Sequence, residues 1–160
     1  MRPHSGDMRV TFPRLPDHER AWALVERDDG VVYRLYSGTA GPRLPHDIMH
    51  LVVERELRIC DGIWAGIAAG SPAQPPGQPP DQPPGQRAEL LADLVASAAA
   101  LGTLTLEKIR RLTADKLAAL PDANVDPVVI AAAVRALQVE ASRWARLRVG
   151  EELSYDWPGK

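Results

Sequence analysis

The sequence predicts an α+β fold, in which a small antiparallel sheet is packed by about four to five helices. Apolar and polar residues alternate near both ends of the chain, as they do in strands with one buried face. In the middle of the chain, apolar residues recur every three to four positions, which is the helical period. A length of 160 residues with 45 % apolar composition suits one domain, expected over 1–160.

The sheet is predicted to combine N-terminal strands with the C-terminal strand. Residues 8–12 place Val10 and Phe12 on one side, and the closing segment 151–157 alternates in the same way. Residues 21–36 form two apolar runs around a turn that contains Asp29 and Gly30. With a two-residue Asp29-Gly30 loop, the core-facing side of this hairpin would consist of Trp22, Leu24, Tyr33 and Leu35.

Helices are predicted from residue 45 onward. Pro45 suits the first position of a helix, where its missing N–H is not needed, and the apolar arc that follows is Ile48, Met49, Val52, Val53 and Leu57. Asp61 is expected to cap a short helix that ends at Gly70. Three further helices should lie in the later part of the chain, the last over 127–147 with Asp126 as its cap.

Two segments are predicted to lie outside the packed structure. Residues 72–86 are a Pro, Gln and Gly repeat with seven of the fifteen prolines, and are expected to form a flexible insertion or linker. A docking motif for a proline-recognising partner is the functional alternative for this repeat. Residues 1–7 have no pattern and are expected to be disordered.

Composition excludes several classes of function. A formal net charge of −2 gives no general attraction to nucleic acid or anionic lipid, and the longest apolar run, eight residues from Ile63, is too short for a bilayer span. The single cysteine, Cys60, excludes internal disulfides and multi-cysteine metal sites, which favours a cytoplasmic protein. Near the end of the last predicted helix are three arginines whose positive charge suits the negative C-terminal end of the helix dipole: Arg143, Arg146 and Arg148. The functional alternative is that these arginines contact nucleic acid.

The segment HDIMH, residues 46–50, is the main candidate for chemistry. Imidazoles four residues apart on a helix face the same way, so His46 and His50 can reach one zinc ion. Glu54 lies about 12 Å along the helix from His46, which favours an outer-shell role beside His50 rather than coordination. The third ligand must come from elsewhere, and the candidates are Asp61, Cys60, His18 or a carboxylate on the later helices.

The same five residues resemble two known motifs. HDIMH is similar to the His-Glu-x-x-His motif of zinc metallopeptidases, a resemblance that implies Asp47 as general base. It also resembles the His-Asp-x-x-His motif of a ubiquinone-biosynthesis family, whose downstream glutamate aligns with Gly62, next to Asp61. The wider segment 44–70, together with the chain ending 143–159, resembles a group of small bacterial proteins with no assigned function.

These observations leave three hypotheses. In the first, the protein is a zinc-binding domain with His46, His50 and Asp61 as ligands and with Asp47 or Glu54 positioning a water for hydrolytic or lyase chemistry. In the second, it is a non-catalytic protein–protein interaction domain, in which the two histidines are structural residues at a helix edge. In the third, His50 and Glu54 act as a metal-free general base pair.

Overall fold

The computed structural model describes residues 6–70, 86–119 and 125–158 and confirms the predicted α+β class. Predictions for 1–5 and for most of the proline repeat lie outside these ranges. The elements are β1 (Met8–Pro13), β2 (Arg20–Arg27), β3 (Val32–Thr39), α1 (His46–Glu56), α2 (Ile63–Ala68), α3 (Gln86–Ala99), α4 (Leu106–Ala118), α5 (Pro127–Arg146) and β4 (Glu152–Trp157).

The sheet joins the two ends of the described chain. Its strand order is β3-β2-β1-β4, and every pairing is antiparallel. Val10 of β1 lies opposite Tyr155 of β4, and Phe12 lies opposite Leu153, so these apolar side chains share the face that packs against the helices. The predicted return of the C-terminal strand to the sheet is therefore confirmed.

The β2–β3 hairpin differs from the prediction by one residue. Its loop is Asp28-Asp29-Gly30, closed by an N–H donated from Arg27 to the Val31 carbonyl at 2.9 Å, and Gly30 has a φ of +88°. This longer loop pairs Ala23 with Leu35 and Val25 with Tyr33. Because a one-residue shift exchanges the faces of a strand, the predicted core positions Trp22 and Leu24 are wrong.

Helix α1 lies at the centre of the helical layer, where it packs against α2, α3 and α5. Pro45 is its N-cap, so the helix begins one residue later than predicted, at His46. Ile48, Leu51, Val52 and Val53 are fully buried. This position makes α1 the scaffold on which neighbouring helices can place side chains beside its histidines.

The other predicted caps have mixed outcomes. Asp126 caps α5 by accepting the Val128 N–H at 2.9 Å, and Pro127 occupies the first turn, as predicted. Asp61 does not cap α2, because the N-cap is Gly62 and the side chain that accepts an N–H of the first turn is Glu54 of α1.

None of the helices in the described ranges combines the length and apolar composition needed to cross a membrane.

Candidate metal centre

Two histidines of α1 and one glutamate of α3 form a group that could hold a metal ion. One ligand atom from each of His46, His50 and Glu89 lies within 4.8 Å of the other two. The imidazole centroids of His46 and His50 are 4.4 Å apart, as expected for residues one helical turn apart. Glu89 lies in the first turn of α3, directly across from them.

The distance between the two helices suits a shared ion. His50 Nε2 lies 3.4 Å from Glu89 Oε2. Two ligands of a tetrahedral zinc ion, each about 2.0 to 2.1 Å from the metal, are roughly 3.3 Å apart. His46 and Glu89 are exposed while His50 is buried, so one side of the group faces solvent. A ligand from solution could therefore reach an ion held there.

The electrostatic environment of His50 favours a neutral imidazole. Burial lowers the pKa of His50 most strongly, and the neighbouring His46 lowers it further. The carboxylates of Glu89, Asp47 and Asp93 act in the opposite direction. A metal ligand must be deprotonated, so the lowered pKa keeps Nε2 available for a cation near neutral pH. The surrounding carboxylates attract that cation.

Glu54 lies on the other side of His50 and is completely buried. Its Oε1 accepts the Trp64 N–H at 3.0 Å, and the backbone N–H groups of Ile63 and Ala65 also lower the pKa of its carboxyl group. Glu54 Oε2 has no hydrogen-bond partner among the described residues and lies 3.8 Å from His50 Nδ1. Glu54 is thus the acceptor that caps α2 and a neighbour of the histidine.

Burial raises the pKa of the Glu54 carboxyl group to about 7, although the three N–H groups of α2 lower it. Asp61 raises the pKa further through its negative charge. The close fit around this carboxylate also explains a glycine: a Cβ on Gly62 would overlap Glu54 Oε1 and Cδ. Gly62 has a φ of −86°, so its role is to leave space rather than to adopt an unusual conformation.

Asp47 and Asp61, two of the residues singled out in the sequence, have different surroundings. Asp47 follows His46, and its carbonyl oxygen accepts the Nε1–H of the buried Trp64 at 3.0 Å. Asp61 is exposed beyond the end of α1 and is not a member of the metal-ligand group. The other candidates for third ligand, Cys60 and His18, are likewise exposed and outside the group.

Glu89 was not named individually from the sequence, which indicated only a carboxylate on the later helices. The one available signal is that Glu89 and Asp93 are four residues apart on a predicted helix, matching the spacing of His46 and His50. Nothing in the sequence shows that these two helices face each other.

Comparison of the chain with protein-family models, curated proteins and solved structures gave no match.

Proposed function

We propose that this protein binds a divalent metal ion, zinc, through His46, His50 and Glu89. The observation that supports the proposal best is the convergence of three ligand atoms, from two helices, within 4.8 Å. Two imidazoles, one carboxylate and an open position form a ligand set used by catalytic zinc sites. Non-haem iron(II) uses the same set and is the main competing metal.

Glu54 supports the proposal as an outer-shell residue. Metal-bound histidines usually donate their second ring N–H to a carboxylate or carbonyl, which fixes the ring orientation. The positions of the two His50 nitrogens are compatible with this arrangement: Nε2 lies 3.4 Å from Glu89 Oε2, and Nδ1 lies 3.8 Å from Glu54 Oε2, which has no hydrogen-bond partner among the described residues. This position gives Glu54 a role in orienting His50 rather than in proton transfer.

The finer part of the proposal is hydrolytic or lyase chemistry with Asp47 as general base. A bound zinc ion supplies a water of lowered pKa. Asp47 directly follows His46 in the first turn of α1, its charge raises the pKa of His50, and it is partly exposed to solvent. We expect Asp47→Asn to keep its zinc and to lose about 100-fold in turnover of p-nitrophenyl acetate relative to the zinc-loaded wild type. Equal turnover would exclude Asp47 as the base.

Metal analysis of untagged, full-length protein tests the binding proposal. We expect close to one equivalent of zinc or iron in the wild type, and none in a His46→Ala, His50→Ala variant. Glu89→Gln should weaken zinc binding strongly. Asp93→Asn is the matched control, because Asp93 lies one turn further along α3 and acts on His50 without belonging to the group. A metal-free wild type, or equal losses for Glu89→Gln and Asp93→Asn, would contradict the proposal.

A further inference from the structure

A pocket of about 390 Å³ opens beside His46, at the end of the sheet. Strands β1 and β3 end there, β2 begins there, and residues 40–45 lead from the sheet into α1. The walls are mostly apolar and include Phe12, Trp22, Leu44, Pro45 and Trp144. Apolar walls with few polar groups are typical of sites for small organic ligands.

The packing of two buried aromatic residues holds this pocket open. Trp144 of α5 donates its Nε1–H to the Gly41 carbonyl at 3.2 Å, which fixes the 40–45 segment. Phe12 packs edge to face against Trp64 and Tyr155, with centroid distances of 6.0 and 5.8 Å. Because both aromatic walls are anchored in the core, the pocket is formed before any ligand binds.

His46 belongs both to the wall of this pocket and to the metal-ligand group. Glu89 approaches the histidine pair from α3, whereas the pocket lies toward the sheet and the 40–45 segment. A ligand that extends from the metal into the pocket would therefore leave the three protein ligands in place.

The charges around the pocket determine which ligand charge it favours. None of the described residues that line it is acidic, and Arg43 is the only one with a permanent charge. The carboxylates that attract a cation are Glu89 and Asp93 of α3 and Asp47 of α1, and all three lie outside the pocket lining. The pocket side thus favours an anionic or acyl group next to the metal.

We propose that this pocket receives the aromatic or branched apolar group of a small carboxylate ligand, whose carboxylate binds the metal at His46. This inference rests on the proposed metal site and specifies the class of ligand that the site would take. Arg43 at the rim would add attraction for the negative charge.

The test compares phenylacetate with acetate on zinc-loaded, full-length protein, with dissociation constants measured by calorimetry or tryptophan fluorescence. The two probes share a carboxylate and differ in one apolar ring. We expect phenylacetate to bind at least about tenfold more tightly, because the pocket removes its ring from water. Ser37→Phe, which fills the pocket from the helix-facing side of β3, should abolish this difference.

Tyr36→Phe is the matched control for Ser37→Phe. It places the same residue one position earlier in β3, on the opposite face of the sheet, and Tyr36 does not line the pocket. Ala21→Phe is a second variant, because Ala21 lies opposite Ser37 and also lines the pocket. Both Ser37→Phe and Ala21→Phe should retain zinc.

The outcomes separate the two proposals. Zinc binding with equal affinities for phenylacetate and acetate, or equal losses in Ser37→Phe and Tyr36→Phe, would overturn the pocket inference and leave the metal site standing. A wild type that binds no zinc would overturn the metal site and the pocket inference with it. Selective phenylacetate binding that needs zinc and is lost in Ser37→Phe would support both.

Discussion

Two buried glutamates in this protein have opposite surroundings. Glu140 of α5 accepts the Tyr155 hydroxyl at 2.5 Å and two contacts from Arg143 Nη1, at 2.9 and 3.1 Å, so both of its oxygens are bound. Glu54 of α1 has one oxygen bound by the backbone N–H of Trp64 in α2 and the other without a hydrogen-bond partner among the described residues.

The difference separates a structural carboxylate from one that we assign to a site. Arg143 matches the charge of Glu140, and the Tyr155 hydroxyl joins α5 to β4, so this network is complete in the protein alone. The free oxygen of Glu54 faces a histidine whose other nitrogen points to Glu89. A cation on that nitrogen would make His50 Nδ1–H a donor to Glu54 and would complete the second network.

The largest expected effect on stability comes from Gly62→Ala, which places a side chain against the Glu54 carboxylate. A Cβ at this position would overlap the Glu54 carboxylate, so we expect a loss of about 3 kcal/mol in the free energy of unfolding. Urea denaturation in EDTA measures it. Gly41→Ala is the control, because a Cβ there meets no atom within 4 Å. Adding Glu54→Ala should rescue much of the loss, and a double variant no more stable than Gly62→Ala would refute the clash.

Glu54→Gln is expected to stabilise the metal-free protein above pH 7. With the pKa of Glu54 raised from 4.5 to about 7, the folded state retains a proton that the unfolded state releases, so wild-type stability falls as pH rises between these values. The fall is ~3 kcal/mol at most, and Gln removes it while still accepting the α2 N–H. Denaturation of both proteins in EDTA at pH 5 and pH 8 measures this difference.

The same Glu54→Gln variant should bind zinc about 10- to 100-fold more weakly, because it lacks the outer-shell carboxylate. A competition titration with a fluorescent chelator measures this affinity. Glu54→Gln with unchanged zinc affinity would show that Glu54 serves only to cap α2. The opposite signs of the stability and affinity changes are what distinguish a site residue from a structural one.

A smaller effect on stability is expected in the hydrogen-bond network of Glu140, Tyr155 and Arg143. Tyr155→Phe removes one hydrogen bond to a buried carboxylate that still binds Arg143, so we expect a loss of about 2 kcal/mol in the free energy of unfolding. Zinc affinity should not change. Tyr36→Phe provides the control, because Tyr36 is exposed on β3. A change in zinc affinity in Tyr155→Phe would mean that the two buried networks are coupled.

The strands, the α1 histidine pair and the capped α5 were predictable, because each depends on local periodicity or on adjacent residues. The face of β2 was not, because a three-residue loop and a two-residue loop give opposite registers from the same Asp-Asp-Gly sequence. Glu89 was not predictable either: α3 follows the proline repeat, and which of its faces meets α1 depends on packing among α1, α3 and α5.

Glu54 illustrates the same limit. The sequence indicated only an outer-shell role for Glu54 beside His50, whereas in the structure α2 folds back over Glu54, which is completely buried. The residue that permits this approach is Gly62, the position where the resemblance to the ubiquinone-biosynthesis motif implied a glutamate. A long-range contact between a helix face and a glycine has no local sequence pattern.

The most direct test of the metal site is anomalous diffraction at the zinc edge from crystals of the full chain grown with one equivalent of zinc. We predict a single strong peak about 2.0 to 2.2 Å from one nitrogen each of His46 and His50 and one carboxylate oxygen of Glu89. A peak coordinated by Asp61, Cys60 or His18 instead, or no peak beside the α1 histidines, would contradict it.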